Sequence, residues 1–281
     1  MKYLGTYYYA NIVQGVIENS FDYLSNLENM FSDSEILDYA RPFTKKSNLH
    51  SFIEFIIDSL FWEESSKLSI SRCRDRSNLD FDNPTYITPL EQVLSEYKMG
   101  IVSFMQWWKI SATDQVLEDG LFEDYYNYLF SLSNYYKVVE SLSEDVFYII
   151  FLNRKLLQEF NELFSSYLQS CQDSEDAKEY IMDNGLQEVI RSDFKLHRVN
   201  IPMWVKRAVY FRDRGICVNC GRDLSGYLSL ENVENFDHIV PLNLFGFNDV
   251  TNIQLLCRDC NSKKSGNRSE PITMYQSWYE K

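Results

Sequence analysis

The sequence predicts a mainly α protein: a long helical N-terminal part followed by a small C-terminal module of two strands and a helix. Three observations carry that expectation. Apolar residues recur at helical spacing through about the first 190 positions, and Gly and Pro are scarce, at 10 and 6 in 281 residues. Four of the six cysteines gather in two Cys-x-x-Cys pairs near the C-terminal end. Hydrophobic content of 45% and aromatic content of 16% belong to a folded chain rather than a disordered one. The length allows two domains, each with its own core.

The elements follow in order. Ile53, Ile56, Ile57 and Leu60 fall at i, i+3, i+4 and i+7, which places one apolar stripe on a helix from about Leu49 to Trp62. Residues 65–89 have mixed charge and little periodicity, and read as an irregular excursion. Pro89 stands where a first-turn proline belongs, ahead of Leu90, Val93, Leu94 and Tyr97. From Phe122 to Leu168 a stretch dense in Tyr, Phe and Leu reads as two helices divided near Ser141–Asp145, with Ser143 capping the second. Another helix starts at Asp173–Asp176 and breaks near Asp183-Asn184-Gly185. A short extended stretch at 197–201 leads to Pro202 and a helix from Met203 to about Arg214, stopped by Gly215. Phe236–Val240 and Asn252–Leu256 read as strands, and Asp259–Lys264 as a short helix closing near Gly266.

Charge divides the chain at the same junction. Residues 1–197 hold 16 Lys and Arg against 32 Asp and Glu, whereas residues 198–281 hold 11 against 9. Nucleic-acid affinity comes largely from neutralising phosphates, so only the C-terminal part has the charge to approach DNA. The expected organisation is an acidic all-α domain over 1–197 that binds a partner protein, self-associates or regulates, followed by a second domain over 198–281. Polar residues interrupt the first 20 positions, and the longest apolar run is Val146–Leu152, far short of the ~20 residues that span a bilayer. The expectation is a cytoplasmic protein with no membrane partner.

Cys217, Cys220, Cys257 and Cys260 give C-x2-C, 36 intervening residues, and C-x2-C. That spacing lets four thiolates close a tetrahedral shell around one zinc ion, which makes the zinc structural. A module of this size has too little core to be stable alone, and zinc binding supplies folding free energy. Cys73 and Cys171 are left as free thiols.

Between and after the cysteine pairs lie Asp237-His238-Ile239-Val240-Pro241, Asn252, and Asn261-Ser262-Lys263-Lys264. Together with the cysteines these residues, over roughly Met203 to Arg268, resemble the HNH endonuclease family in its four-cysteine zinc-bound form. The remaining two thirds of the chain resembles no family. The resemblance implies a ββα-metal fold and hydrolysis of phosphodiester bonds. It also implies a role for each residue. His238 activates water as general base, fitting an imidazole that titrates near neutral pH. Asp237 and Asn261 hold Mg2+ or Mn2+ through oxygen, as a hard cation prefers. Asn252 ties the loop after the first strand and helps orient the base. Many family members carry His where this chain has Asn261, a departure that bears on metal affinity or choice. Neighbouring side chains of a strand point to opposite faces, so Asp237 and His238 can share a site only at a strand end.

Lys264, Lys263, Arg214 and Arg207 are the expected phosphate contacts, with Arg212 on the same opening helix. His50 and His197 have no comparable neighbours and read as ordinary surface or core residues. The runs Tyr7-Tyr8-Tyr9, Trp107-Trp108 and Tyr125-Tyr126 could stack on bases, but their acidic neighbours favour core packing or a protein interface. The expected function is a metal-dependent DNA endonuclease, an effector in a bacterial antiphage or restriction-type system controlled by its helical domain. The rivals are a zinc module that holds nucleic acid without cutting it, and an adaptor whose working part is the helical domain.

Overall fold

The computed structural model describes residues 2–111, 116–225 and 236–266. Among them the helices are α1 (Lys2–Glu18), α2 (Leu24–Phe31), α3 (Asn48–Ser65), α4 (Ile70–Cys73), α5 (Pro89–Glu96) and α6 (Phe104–Ser111). They continue with α7 (Gly120–Phe130), α8 (Ser133–Ile150), α9 (Arg154–Ser170), α10 (Glu175–Asp183), α11 (Met203–Arg212) and α12 (Arg258–Lys264). The strands β1 (Phe236–His238) and β2 (Ile253–Leu255) pair antiparallel, with His238 opposite Ile253 and Asp237 opposite Gln254. The fold is therefore mostly helical, with a two-stranded sheet where the cysteine pairs lie.

The chain forms two compact units, one of Met1–Tyr9 with Phe52–Val146 and one of Ala10–Ser51 with Phe147–Lys281. These packing boundaries are distinct from the change of composition near residue 197.

In the first unit, Pro89 occupies the first turn of α5, and the Thr88 side chain accepts from the Glu91 amide. Aromatic packing dominates: the Phe104 and Phe122 rings lie 4.5 Å apart, and Tyr135 donates to Asp58 from a side chain only 1% exposed. Tyr125 and Tyr126 are core residues, whereas Tyr7 and Tyr8 are exposed. Residues 66–88 are largely irregular, as expected, apart from short α4 and a bridge between Arg74 and Tyr86.

The expected break at Ser141–Asp145 does not occur. Three helices cover this stretch, and the breaks follow Phe130 and Ile150. Ser143 lies inside α8, where its hydroxyl donates to the Glu140 carbonyl (2.8 Å), a local bond that a serine makes without ending a helix. Asn153, not Ser143, caps the following helix, accepting from Leu156.

The second unit holds the sheet. Leu156, Leu157, Phe160, Phe164 and Leu168 form the buried face of α9, and the Phe164 ring meets Phe247 at 5.9 Å. Ser174 caps α10, and Gly185 at φ +65° follows its end. A bridge between Ile190 and Leu196 then turns the chain towards α11. That helix ends at Arg212, and Gly215 sits at φ +63° with the space for a Cβ taken by the Tyr210 hydroxyl at 2.8 Å.

Two sets of buried bonds tie distant segments to the sheet and to the loop before β2. Asp213, 0% exposed, accepts from Arg154 of α9 (2.9 Å), from Arg212 (2.8 Å) and from the Leu255 amide (2.9 Å). Arg212 also donates to the Ile253 carbonyl, so it is a core residue rather than a phosphate contact. Segment 43–48 docks on the loop before β2: Phe43 donates to the Asn248 carbonyl (2.8 Å) and the Asn48 amide to the Asp249 carboxylate (3.1 Å). Burial pushes the Asp249 carboxyl above its ordinary pKa, against bonds from Thr251 and Asn48.

Candidate active site beside a four-thiol knuckle

The knuckle forms where its residues predict. The Sγ atoms of Cys217, Cys220, Cys257 and Cys260 all lie within 4.8 Å of one another. Cys220 and Cys257 are 3.7 Å apart, close to the edge of about 3.8 Å expected for a tetrahedron with zinc–sulfur arms of about 2.3 Å. The donor set and its size therefore fit Zn2+. Gly221 turns the first pair at φ +73°, and Val218 donates to the Leu255 carbonyl, joining the knuckle to β2. Val218 and Leu256 fill the core around the thiols, with Leu224 against them.

Next to the knuckle, Asp237, His238 and Asn261 line one cleft of about 820 Å³. β1 ends at His238, and at that end the pair can reach a common space despite strand alternation. Asn261, at the middle of α12 and directly after Cys260, lines the same cleft. The carboxylate of Asp237 and the amide oxygen of Asn261 are hard donors that fit a divalent cation completing its shell with water and phosphate.

His238 is only 2% exposed although it lines the cleft. Burial pushes its pKa down to about 4, opposed by Asn248 and Asp237 and assisted by Arg198 and Lys264. The ring is therefore neutral near pH 7. Its tautomer follows from Asn248, which sequence reasoning missed. The Asn248 amide nitrogen donates to the His197 carbonyl (2.9 Å), so Oδ1 is the atom that faces His238 Nε2 at 3.1 Å. Nε2 must then carry the hydrogen, leaving Nδ1 as the proton acceptor.

Asn252 is fully buried and ties the loop between the strands. Its Oδ1 accepts from the Val240 amide (2.8 Å), and its Nδ2 donates to the Val240 and Phe247 carbonyls at 3.0 and 2.8 Å. The same closure explains Gly246: a Cβ there would meet the Val240 carbonyl oxygen at 1.9 Å. No local signal marks Gly246, because its need arises only when the loop closes.

The expected phosphate contacts are placed unequally. Lys264 is buried, its ammonium donating to Asp237 Oδ2 (2.7 Å) and the His238 carbonyl (2.8 Å), so it braces the site from within. Arg207, Arg214 and Lys263 are exposed, and none of them lines the cleft. His197 reaches the cleft wall. His50 lies in the first turn of α3, with Nδ1 2.7 Å from the Ser47 hydroxyl.

An antiparallel strand pair, a short terminal helix and a four-thiol knuckle, flanking a cleft with a buried histidine, define a zinc-stapled ββα module. Residues 217–267 match the model of the HNH endonuclease family. The match covers this module, and the helical remainder has no family match. No curated protein and no solved structure matches the chain. Among the described residues, no helix is long and apolar enough to cross a membrane.

Proposed function

We propose that the protein is a metal-dependent endonuclease that hydrolyses DNA phosphodiester bonds in the cleft beside the knuckle. The observation that carries this reading is the meeting of Asp237, His238 and Asn261 on one cleft within the segment that matches the HNH family. His238 acts as general base: its neutral ring takes the proton of the attacking water on Nδ1 while Asn248 holds Nε2. Asn252 keeps the loop closed behind the base. Lys264 fixes Asp237 through one carboxylate oxygen and holds the strand end through the His238 carbonyl. Asp237 and Asn261 are the residues that would hold Mg2+ or Mn2+, which when bound supplies positive charge to the phosphate and the departing 3′-oxygen. The zinc knuckle takes no part in the chemistry, since four thiols leave no open position. To the acidic helical part we assign partner binding or restraint of the nuclease, because its surplus of Asp and Glu opposes DNA.

Two observations favour a second reading, a module that holds nucleic acid without cutting it. The Lys264 ammonium already lies on Asp237, and His238 is almost fully covered. Plasmid cleavage by purified, zinc-loaded protein with Mg2+ or Mn2+ separates the two. Wild type should nick or linearise the plasmid, and His238→Ala should be slower by roughly 10²-fold or more. Equal cleavage by both proteins would remove His238 from the mechanism. Silence of both, with DNA binding intact, would establish the second reading.

A further inference from the structure

The cleft has a second side that the family match does not cover. Asp237, His238 and Asn261 line it, but so do Arg191, residues 196–201 and Lys206, which we term its wall. All of these lie before residue 217, where the match begins. Three cations, Arg191, Arg198 and Lys206, line the cleft, and among the described residues Asp237 is the one carboxylate that does so. Arg191 also pairs with Asp193 (3.3 Å), yet the lining still carries a surplus of positive charge in a chain of formal charge −14.

The wall is also held in place. The Ile190–Leu196 bridge closes its base, and His197 donates from its amide to the Val189 carbonyl (2.9 Å). The His197 carbonyl in turn receives the Asn248 amide that also holds the His238 ring. One side chain thus bonds both the backbone of the wall and the His238 ring. Cations lining the same cleft as the candidate reacting groups, on a backbone held by these bonds, suit a polyanion.

We infer that Arg191, Arg198 and Lys206 form the phosphate-binding wall of the cleft and grip the backbone of the nucleic acid. The exposed Arg207 and Lys263, outside the cleft, have no such role. The inference rests on the nuclease reading for the identity of the polyanion, but it concerns binding and is tested without cleavage.

The test is fluorescence anisotropy of the full chain with a labelled 20-base-pair DNA duplex, without added Mg2+ or Mn2+, over a series of salt concentrations. Each phosphate contact removed should lower the slope of log K against log salt by about 0.9. Arg191→Gln, Arg198→Gln and Lys206→Gln should each lose about that much, while Arg207→Gln and Lys263→Gln keep the wild-type slope. Wall variants with an undiminished slope would overturn the inference, as would equal losses in the two control variants. So would a wild-type protein that binds no duplex. A protein that binds through the wall yet never cuts would sink the nuclease reading alone. One that cuts normally with all three wall residues changed would sink the wall alone.

Discussion

His50 opens α3 with Nδ1 against the Ser47 hydroxyl, and its ring stacks on Phe147 at 3.8 Å. The Ser47 amide donates to the same nitrogen, so only the neutral ring satisfies the site. Burial, and then Lys46, push its pKa down from 6.5 to about 4. The sign of the resulting pH dependence follows. Between pH 6.5 and 4 the unfolded chain binds the proton and the folded one does not, so the contribution is complete above pH 6.5 and is lost on acidification. The buried His238 ring is depressed in the same direction, so His50 accounts for part of the acid slope. His50→Gln should therefore flatten the fall in urea-unfolding free energy between pH 7 and 4.5, and parallel curves for the two proteins would refute this assignment. At this scale the sequence is legible where a residue type and its spacing carry the chemistry themselves. The four cysteines gather as their spacing implies, while Asp237 and His238 line one cleft and Asn252 bonds the Val240 amide of the loop that follows them. Asn248 and Gly246 are invisible beforehand, since their roles depend on a carbonyl 51 residues away and on a loop that has closed.

Between elements, Asp213 is the contact with the largest consequence. It joins α9, α11 and β2 through two guanidinium groups and one amide, all inside the protein. Removing a buried partner leaves the opposite charges uncompensated, at a cost of about 3–5 kcal/mol. Asp213→Ala should thus lose roughly that much stability in a denaturant titration of the zinc-loaded protein, with a change below 1 kcal/mol counting against the cluster. The periodicity that defines α11 says nothing about which of its cations α9 covers. That is why Arg212 reads from sequence as one of several basic residues that could meet DNA but is a core residue in the fold. The division of residues 120–170 fails for a related reason. Serine can cap a helix or bond back within one, and the apolar pattern is too dense to show where the chain turns.

For the molecule as a whole, composition and packing have separate boundaries. The charge changes near residue 197, yet the compact unit that carries the knuckle also contains residues 10–51 and 147–197. Arg154, Phe43, Asn48 and the Phe164 face of α9 all serve this unit. A fragment of residues 198–281 should therefore lack a cooperative thermal transition even with zinc bound, whereas the full chain shows one. A sharp transition in the fragment would indicate that zinc and the local core suffice. Charge is legible because it is summed residue by residue. The compact unit is not, because it is made of contacts between distant segments.

The bond from the Asn48 amide to Asp249 joins residues 201 positions apart. During synthesis the first partner leaves the ribosome long before the second exists, so the loop that holds His238 must wait for most of the chain. Contacts of such long range slow folding, because the intervening chain must be ordered first. A nascent or prematurely ended polypeptide that has not reached Asp249 thus lacks the support on which the cleft is built. Assembly of the cleft is thereby tied to completion of both distant segments.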